Sequence, residues 1–199
     1  MQRVKLVKKI LIVSQAMEIG GAEKALLGLL EAIDKKIFQV DLFLLRHTGE
    51  LLKYIPDNIT ILPEKKEYAM LGIPLKETLR EKEYNIFWGR LKGNLRANKY
   101  VRKNYFKDAA AVNDEYSHKY TVNCMPMISD EEYDLAISFL APHYFVSKKV
   151  IAKEKMAWIH TDYETVEIDV DSELGMWSEY DYIASISDKV TESFLKIFP

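Results

Sequence analysis

Short apolar runs recur along the chain, each followed by polar or glycine-rich residues. Ile10-Leu11-Ile12-Val13 is wholly apolar and rich in β-branched side chains, which suits a strand buried on both faces of a parallel sheet. After a loop holding Gly20-Gly21, apolar residues return at Ala25, Leu26, Leu29, Leu30 and Ile33, the spacing of a helix with one buried stripe. Residues 40 to 45 and 59 to 62 read as a second and third strand, with Gly49-Glu50 and Pro56-Asp57-Asn58 as turns. Three more strands follow at 135 to 139, 156 to 160 and 182 to 187, and residues 144 to 153 have the length of a helical crossover. Strands alternating with helices predict an α/β, doubly wound, mostly parallel Rossmann-like sheet. Residues from about 75 to 113 turn helical and basic, a predicted helical insertion within a single domain spanning 1–199.

Composition narrows the setting. With 48% hydrophobic and 29% charged residues the chain is ordinary for a globular protein, and a net charge of -2 gives no general attraction to nucleic acid. Cys124 stands alone, so neither an intramolecular disulfide nor a thiolate zinc site is possible, and a reducing compartment is expected. Residues 1–9 are basic, but the apolar run behind them is too short for a signal-peptide core or a membrane span. A cytoplasmic protein, free or peripheral at the inner face of the membrane, is the expectation.

Charge is unevenly spread. Residues 76–107 hold ten Lys or Arg against three Glu, a local +7. Phe87, Leu91, Leu95 and Val101 or Tyr105 form an apolar stripe beside them, predicting a basic amphipathic helix. Such a helix either packs on the core with its charges in water or meets an anionic surface. Arg90, Lys92, Arg96 and Lys99 are the candidate contacts for anionic lipid.

Open parallel sheets bind ligands beyond the carboxyl ends of their strands. The loops there read 14 to 21, 46 to 49, Ala141-Pro142-His143, His160-Thr161-Asp162-Tyr163 and Ser187-Asp188. They hold His47, His143 and His160, groups whose usual titration is near neutral pH. Gly20-Gly21-Ala22-Glu23 opens the first helix, where unpaired N–H groups and the helix dipole favour an anion such as a diphosphate. Two glycines serve a tight turn equally well. The motif is neither a dinucleotide fingerprint nor a P-loop, which disfavours dehydrogenases, epimerases and NTPases. His160 is placed to bond a sugar hydroxyl or handle a proton, or to serve as a satisfied structural histidine; Asp162 also reads as a helix N-cap. Asp169-Val170-Asp171 has the spacing of an Asp-x-Asp metal motif but lies in the acidic run 162–173, which reads as a solvated face, and no metal site is expected.

Taken together, KKILIVSQAMEIGGAEKALLGLLEAID, EEYDLAISFLAPHYFV, KMAWIHTDY and YDYIASISDKVTESFLKIFP resemble the N-terminal domain of group-1 (family four) retaining glycosyltransferases of the GT-B fold, except over about 64–130. The resemblance implies that Gly20 and Gly21 approach the donor's diphosphate and that His160 lies beside the transferred sugar as the catalytic-centre residue. It implies acceptor-side roles for His143, Thr161, Asp162 and Tyr163. The substrates would be a nucleotide sugar and a glycan or lipid-linked acceptor in cell-surface polysaccharide synthesis, with no cofactor and no nucleic acid. In such enzymes the donor is held mainly by a second domain through a Glu-x7-Glu element, and these residues hold no second domain, so the fragment alone is expected to be inactive. The competing reading is a stand-alone flavodoxin-like or receiver-like binding module. A receiver needs clustered aspartates after its first and third strands, where this chain has Ser14-Gln15-Ala16-Met17-Glu18 and Leu62-Pro63-Glu64.

Overall fold

All six apolar runs form strands: β1 (Lys8–Ser14), β2 (Phe38–Leu44), β3 (Thr60–Ile61), β4 (Glu132–Phe139), β5 (Ile151–Ile159) and β6 (Tyr182–Ser185). The computed structural model describes residues 7–140 and 142–198; residues 1–6, Ala141 of a predicted site loop and Pro199 lie outside it. The strands make one sheet in the order β3-β2-β1-β4-β5-β6, and every neighbouring pair is parallel. β1 sits near the middle, and its Leu11, Ile12 and Val13 are fully buried, as a strand covered on both faces requires.

Side-chain alternation divides the core between the two faces. Ile10 and Ile12 of β1 join Leu42, Leu44, Ile137 and Phe139 beneath Leu26 and Leu30 of α1 (Gly21–Ala32). Leu11 and Val13 point the other way and pack with Phe43, Ala136, Tyr68 and Phe145, the last from α6 (His143–Lys149). A third cluster joins β5 to α7 (Val170–Trp177) and α8 (Asp188–Ile197) through Ile159, Trp177, Phe194 and Phe198. Helices therefore cover both faces of an all-parallel sheet, a doubly wound Rossmann-like fold. Each fully buried Leu, Ile or Phe contributes roughly 1.5–3 kcal/mol.

The insertion is longer than the charge pattern suggests. It comprises α2 (Lys66–Ala69), α3 (Leu75–Arg80), α4 (Tyr84–Asn104) and α5 (Ala110–Thr121). The expected apolar stripe is not the buried one: Leu95 is 64% and Tyr105 90% exposed. Instead Ile86, Gly89, Gly93 and Ala97 face inward. A Cβ at Gly89 would lie 2.9 Å from the Tyr120 carbonyl oxygen, and one at Gly93 only 2.7 Å from that of Tyr116. Small residues bring the backbone of α4 against that of α5, closer than a leucine seam would permit, and this decides which face turns in.

Arg90 turns in with them. Its Nη1 donates to the carbonyls of Met70 and Ile73 at 2.6 and 2.8 Å and to Thr78 Oγ1 at 2.9 Å, so it ties the turns before α4 together. Of the four basic residues proposed for a surface role, only Lys92, Arg96 and Lys99 are exposed; Arg90 is half-buried and committed to backbone.

Gly93→Leu is expected to force α4 and α5 apart and to cost about 1–3 kcal/mol, the usual penalty of overpacking. Gly28→Ala inside α1, whose added methyl would meet nothing within 4 Å, serves as the control and should hold or slightly raise the melting temperature, since alanine is the better helix former. Equal melting temperatures for the two variants would contradict the close-packing account.

Candidate functional site

The strand order reverses between β1 and β4, and the chain leaves their carboxyl ends in opposite directions. This is the switch point at which open α/β sheets leave a crevice. Here the crevice is a cavity of about 230 Å³. The sheet contributes Gln15 after β1 and Leu140 after β4, the latter in the left-handed region at φ 67, an unusual conformation for a leucine. His143 and Tyr144 of α6, Thr161 and Tyr163 after β5, and Glu173 and Trp177 of α7 form the walls. Helix α5 closes it with Asp114, Glu115 and His118. A neighbouring cavity of about 210 Å³ shares Gln15, Asp114 and His118 and is bordered by Arg46.

The carboxyl groups here are unusual. Glu115 is 7% exposed; its Oε1 accepts from Tyr144 OH at 3.2 Å and from Ser172 Oγ, while its Oε2 is buried with no partner. Burial pushes Glu115 up to about 7. Glu173, whose Oε2 accepts from Trp177 Nε1 at 3.2 Å, is pushed up to about 8 by burial, with the charge of Glu115 adding to the shift. Burial also raises Asp114, against the opposing pull of Arg90.

The imidazoles move the other way. Burial and the nearby His118 and His160 hold His143 down at about 3, and burial beside Arg90 holds His118 at about 4. His160 is lowered by burial, opposed by Glu23. The expectation that histidines supply the groups titrating near neutrality is therefore corrected for His143 and His160: desolvation keeps them neutral, and the near-neutral titrations belong to Glu115 and Glu173.

Of the residues singled out from sequence, His143, Thr161 and Tyr163 line the cavity. His143 Nδ1 lies 2.8 Å from Ser138 Oγ, and its ring packs 4.8 Å from that of Trp177. Asp162 does not line it: the carboxylate accepts from Glu164 N at 3.2 Å and pairs with Lys189 at 2.9 Å, so the capping reading is the one observed. His160 stands outside the lining, its ring 4.6 Å from Phe139 and its Nε2 buried without a partner. Gly20 and Gly21 do open α1. A Cβ on Gly20 would lie 2.2 Å from a Glu23 carboxylate oxygen, whereas one on Gly21 would meet nothing within 4 Å. Gly20 thus makes room for Glu23, which folds back over the start of the helix.

Other residues carried signals that sequence reasoning missed. Asp169 and Glu173 are buried, which corrects the solvated-face reading of the acidic run. Asp169 caps α7, accepting from Ser172 N at 3.1 Å and from Tyr116 OH at 2.6 Å. No group of three or more His, Cys, Asp or Glu placed to hold a metal occurs among the described residues. Gly49, at φ 111, would drive a Cβ to 2.1 Å from the Met17 backbone; with Met17 N donating to Thr48 O at 2.9 Å, it pins the loop after β1. Ala111, Glu115 and His118 share the i, i+4, i+7 face of α5, a helical pattern visible in sequence but hidden behind the neighbouring basic run.

No protein-family model matches the chain, and no curated protein or solved structure shows significant similarity to it.

The opposed shifts set the pH dependence of stability. Raised carboxyls hold protons that the unfolded chain has released, so their contribution falls as pH rises from the carboxylate range to about 8. Depressed imidazoles lack protons that the unfolded chain binds below 6.5, so theirs falls as pH drops below that value. The two slopes oppose each other below 6.5, and only the carboxyl slope remains above it. Melting temperature is expected to decline between pH 6.5 and 8, and Glu173→Gln should flatten that decline. An unchanged slope in the variant would contradict the assignment.

Proposed function

We propose that this chain is the acceptor-side, N-terminal domain of a retaining glycosyltransferase built from two Rossmann-like domains. Its substrates would be a nucleotide sugar and a glycan or lipid-linked acceptor of cell-surface polysaccharide synthesis. The observation carrying this reading is the aromatic-walled polar cavity at the switch point, with the glycine-led start of α1 and His160 on the same edge of the sheet. A fold of this kind hosts many chemistries, so the argument rests on the site and on the motif resemblance, not on topology.

In this reading each group has a task. Retaining transfer passes through an oxocarbenium-like state while the nucleotide diphosphate departs. The N-terminus of α1 suits the departing charge, and the open space at Gly21 lets phosphate reach the backbone. Glu23 must swing off Gly20 for that to happen. His160, neutral and with a buried, unpartnered Nε2, would give a hydrogen bond to a sugar or acceptor hydroxyl once the side chains covering that nitrogen move. The cavity beside it takes the acceptor through Thr161, Tyr163 and His143. The position of Glu23 favours a second reading, a non-catalytic binding module that uses the same cavity and binds no diphosphate.

Turnover separates the two. In a protein that joins this domain to a donor-binding domain, a panel of nucleotide sugars is expected to reveal one that releases nucleoside diphosphate in the presence of acceptor. His160→Ala should then lower kcat by roughly 10²–10⁴. No release from any donor would favour the binding module, and normal turnover of the variant would reduce His160 to a packing residue.

Location belongs to the same proposal. No described helix is long and apolar enough to cross a membrane. On α4, Lys92, Arg96 and Lys99 share a face with Trp88 and Leu95, which are 63% and 64% exposed. Basic side chains near an anionic leaflet contribute about 1 kcal/mol each, and exposed apolar rings add insertion. This favours a cytoplasmic protein working at the inner face of the membrane. Cosedimentation with anionic but not neutral vesicles is expected, lost in high salt and in the Lys92→Glu, Arg96→Glu, Lys99→Glu triple variant. Failure on both vesicle types at low salt would rule it out.

A further inference from the structure

Among the described residues the switch-point cavity is walled by three carboxyls, Asp114, Glu115 and Glu173, and by no lysine or arginine. Nearby cations are committed elsewhere. Arg90 is bound to the Met70 and Ile73 carbonyls and to Thr78, and Lys119 donates to Ser172 Oγ and lies 5.8 Å from the Tyr116 ring centre. Glu115 lines the cavity while only 7% exposed, and its Oε2 is buried with no partner, a defect worth about 1–3 kcal/mol. Trp177, Tyr163 and Tyr144 surround these acids with aromatic rings. Buried acids set among aromatic rings, with Arg90 near Asp114 and Lys119 near Glu115 both engaged by other groups, match the chemistry of an ammonium group, which such rings attract and carboxylates pair.

We propose that the cavity binds the protonated amine of a single amino-sugar ring, with Glu115 and Glu173 as its carboxylate partners. The glycosyltransferase reading is needed only to regard that ring as part of the acceptor; amine recognition follows from the walls themselves. At about 230 Å³ the cavity is below the roughly 300–1,000 Å³ of drug-sized sites and suits one ring. An anionic sugar meets acids on two helices and finds no counter-charge.

Binding is coupled to protons. Without ligand, burial raises Glu115 to about 7 and Glu173 to about 8, so near neutral pH both hold a substantial share of the acid form. The groups facing them are Asp114, His118 and Lys119 of α5, His143 and Tyr144 of α6, Asp169 and Ser172 of α7, and Tyr163 between β5 and α7. The two imidazoles are neutral, and Lys119 is the cation that acts on Glu115, so an arriving ammonium favours ionisation of the acids and releases protons to solvent. Affinity therefore rises with pH through the range in which the acids titrate.

Saturation-transfer NMR on the 199-residue chain tests this with three probes: methyl glucosaminide, methyl glucoside and methyl glucuronide. At pH 7.5 the amine is expected to bind about tenfold more tightly than the neutral glycoside, and the uronide not at all. At pH 5.5 the amine's signal should fall although the probe itself is more fully charged, which identifies the pocket acids as the titrating groups. Glu115→Gln and Glu173→Gln, near-isosteric with the acid forms, should each remove the preference for the amine, while Asp171→Asn on exposed surface should keep it. No amine binding at pH 7.5, equal binding of the neutral glycoside, or a preference surviving in both Gln variants would overturn the proposal. Nucleotide-sugar turnover stands or falls separately, because these probes need no donor.

Discussion

The contact of α4 with α5 through Gly89 and Gly93 decides what the end of the sheet can hold. With Cβ positions 2.9 and 2.7 Å from carbonyl oxygens of α5, no larger residue fits, and the two helices lie backbone to backbone. That places α5 over the crevice between β1 and β4, where Asp114, Glu115 and His118 become part of its wall. Water leaves the acids as a result, and the rise of Glu115 and Glu173 follows from the packing. Sequence, helix contact, desolvation and chemistry form one chain of cause.

Much of the fold was legible because a parallel sheet buried on both faces writes itself as short apolar runs. Ile10 to Val13 has no other economical use in a globular chain. The loops after those strands border the cavity, and His143, Thr161 and Tyr163 of those loops line it. The insertion misled because large apolar residues and charges dominate a periodicity reading, whereas the buried seam of α4 is made of glycine and alanine. Glycine carries almost no hydrophobic signal, so the face that mattered was silent, and Leu95 pointed outward instead. The acids of α5 and α7 were illegible for a related reason: a glutamate reads as surface until a neighbouring helix covers it, and that covering is a tertiary fact.

The result is a site in which burial disfavours the charged forms of its acids and imidazoles alike. Burial favours the protonated forms of Glu115 and Glu173 and the neutral forms of His143 and His118, and both shifts come from the cost of charge in a dry crevice. A ligand that brings a charge, or hydrogen-bond donors for Glu115 Oε2, changes that balance. His160 differs in having its unpartnered nitrogen outside the cavity lining, near Glu23 and the start of α1. In the proposed glycosyltransferase reading, acceptor recognition and donor chemistry occupy adjoining but distinct parts of one edge.

The central claim is that helix packing, and not a metal or an ion pair, sets the protonation of this cavity. Carbon-detected NMR of the glutamate side-chain carboxyls, followed against pH and assigned through the Glu115→Gln and Glu173→Gln variants, measures it directly. The account predicts two titrations, near 7 for Glu115 and near 8 for Glu173. Titration of both at the ordinary 4.5 would show the crevice to be wet and would contradict it.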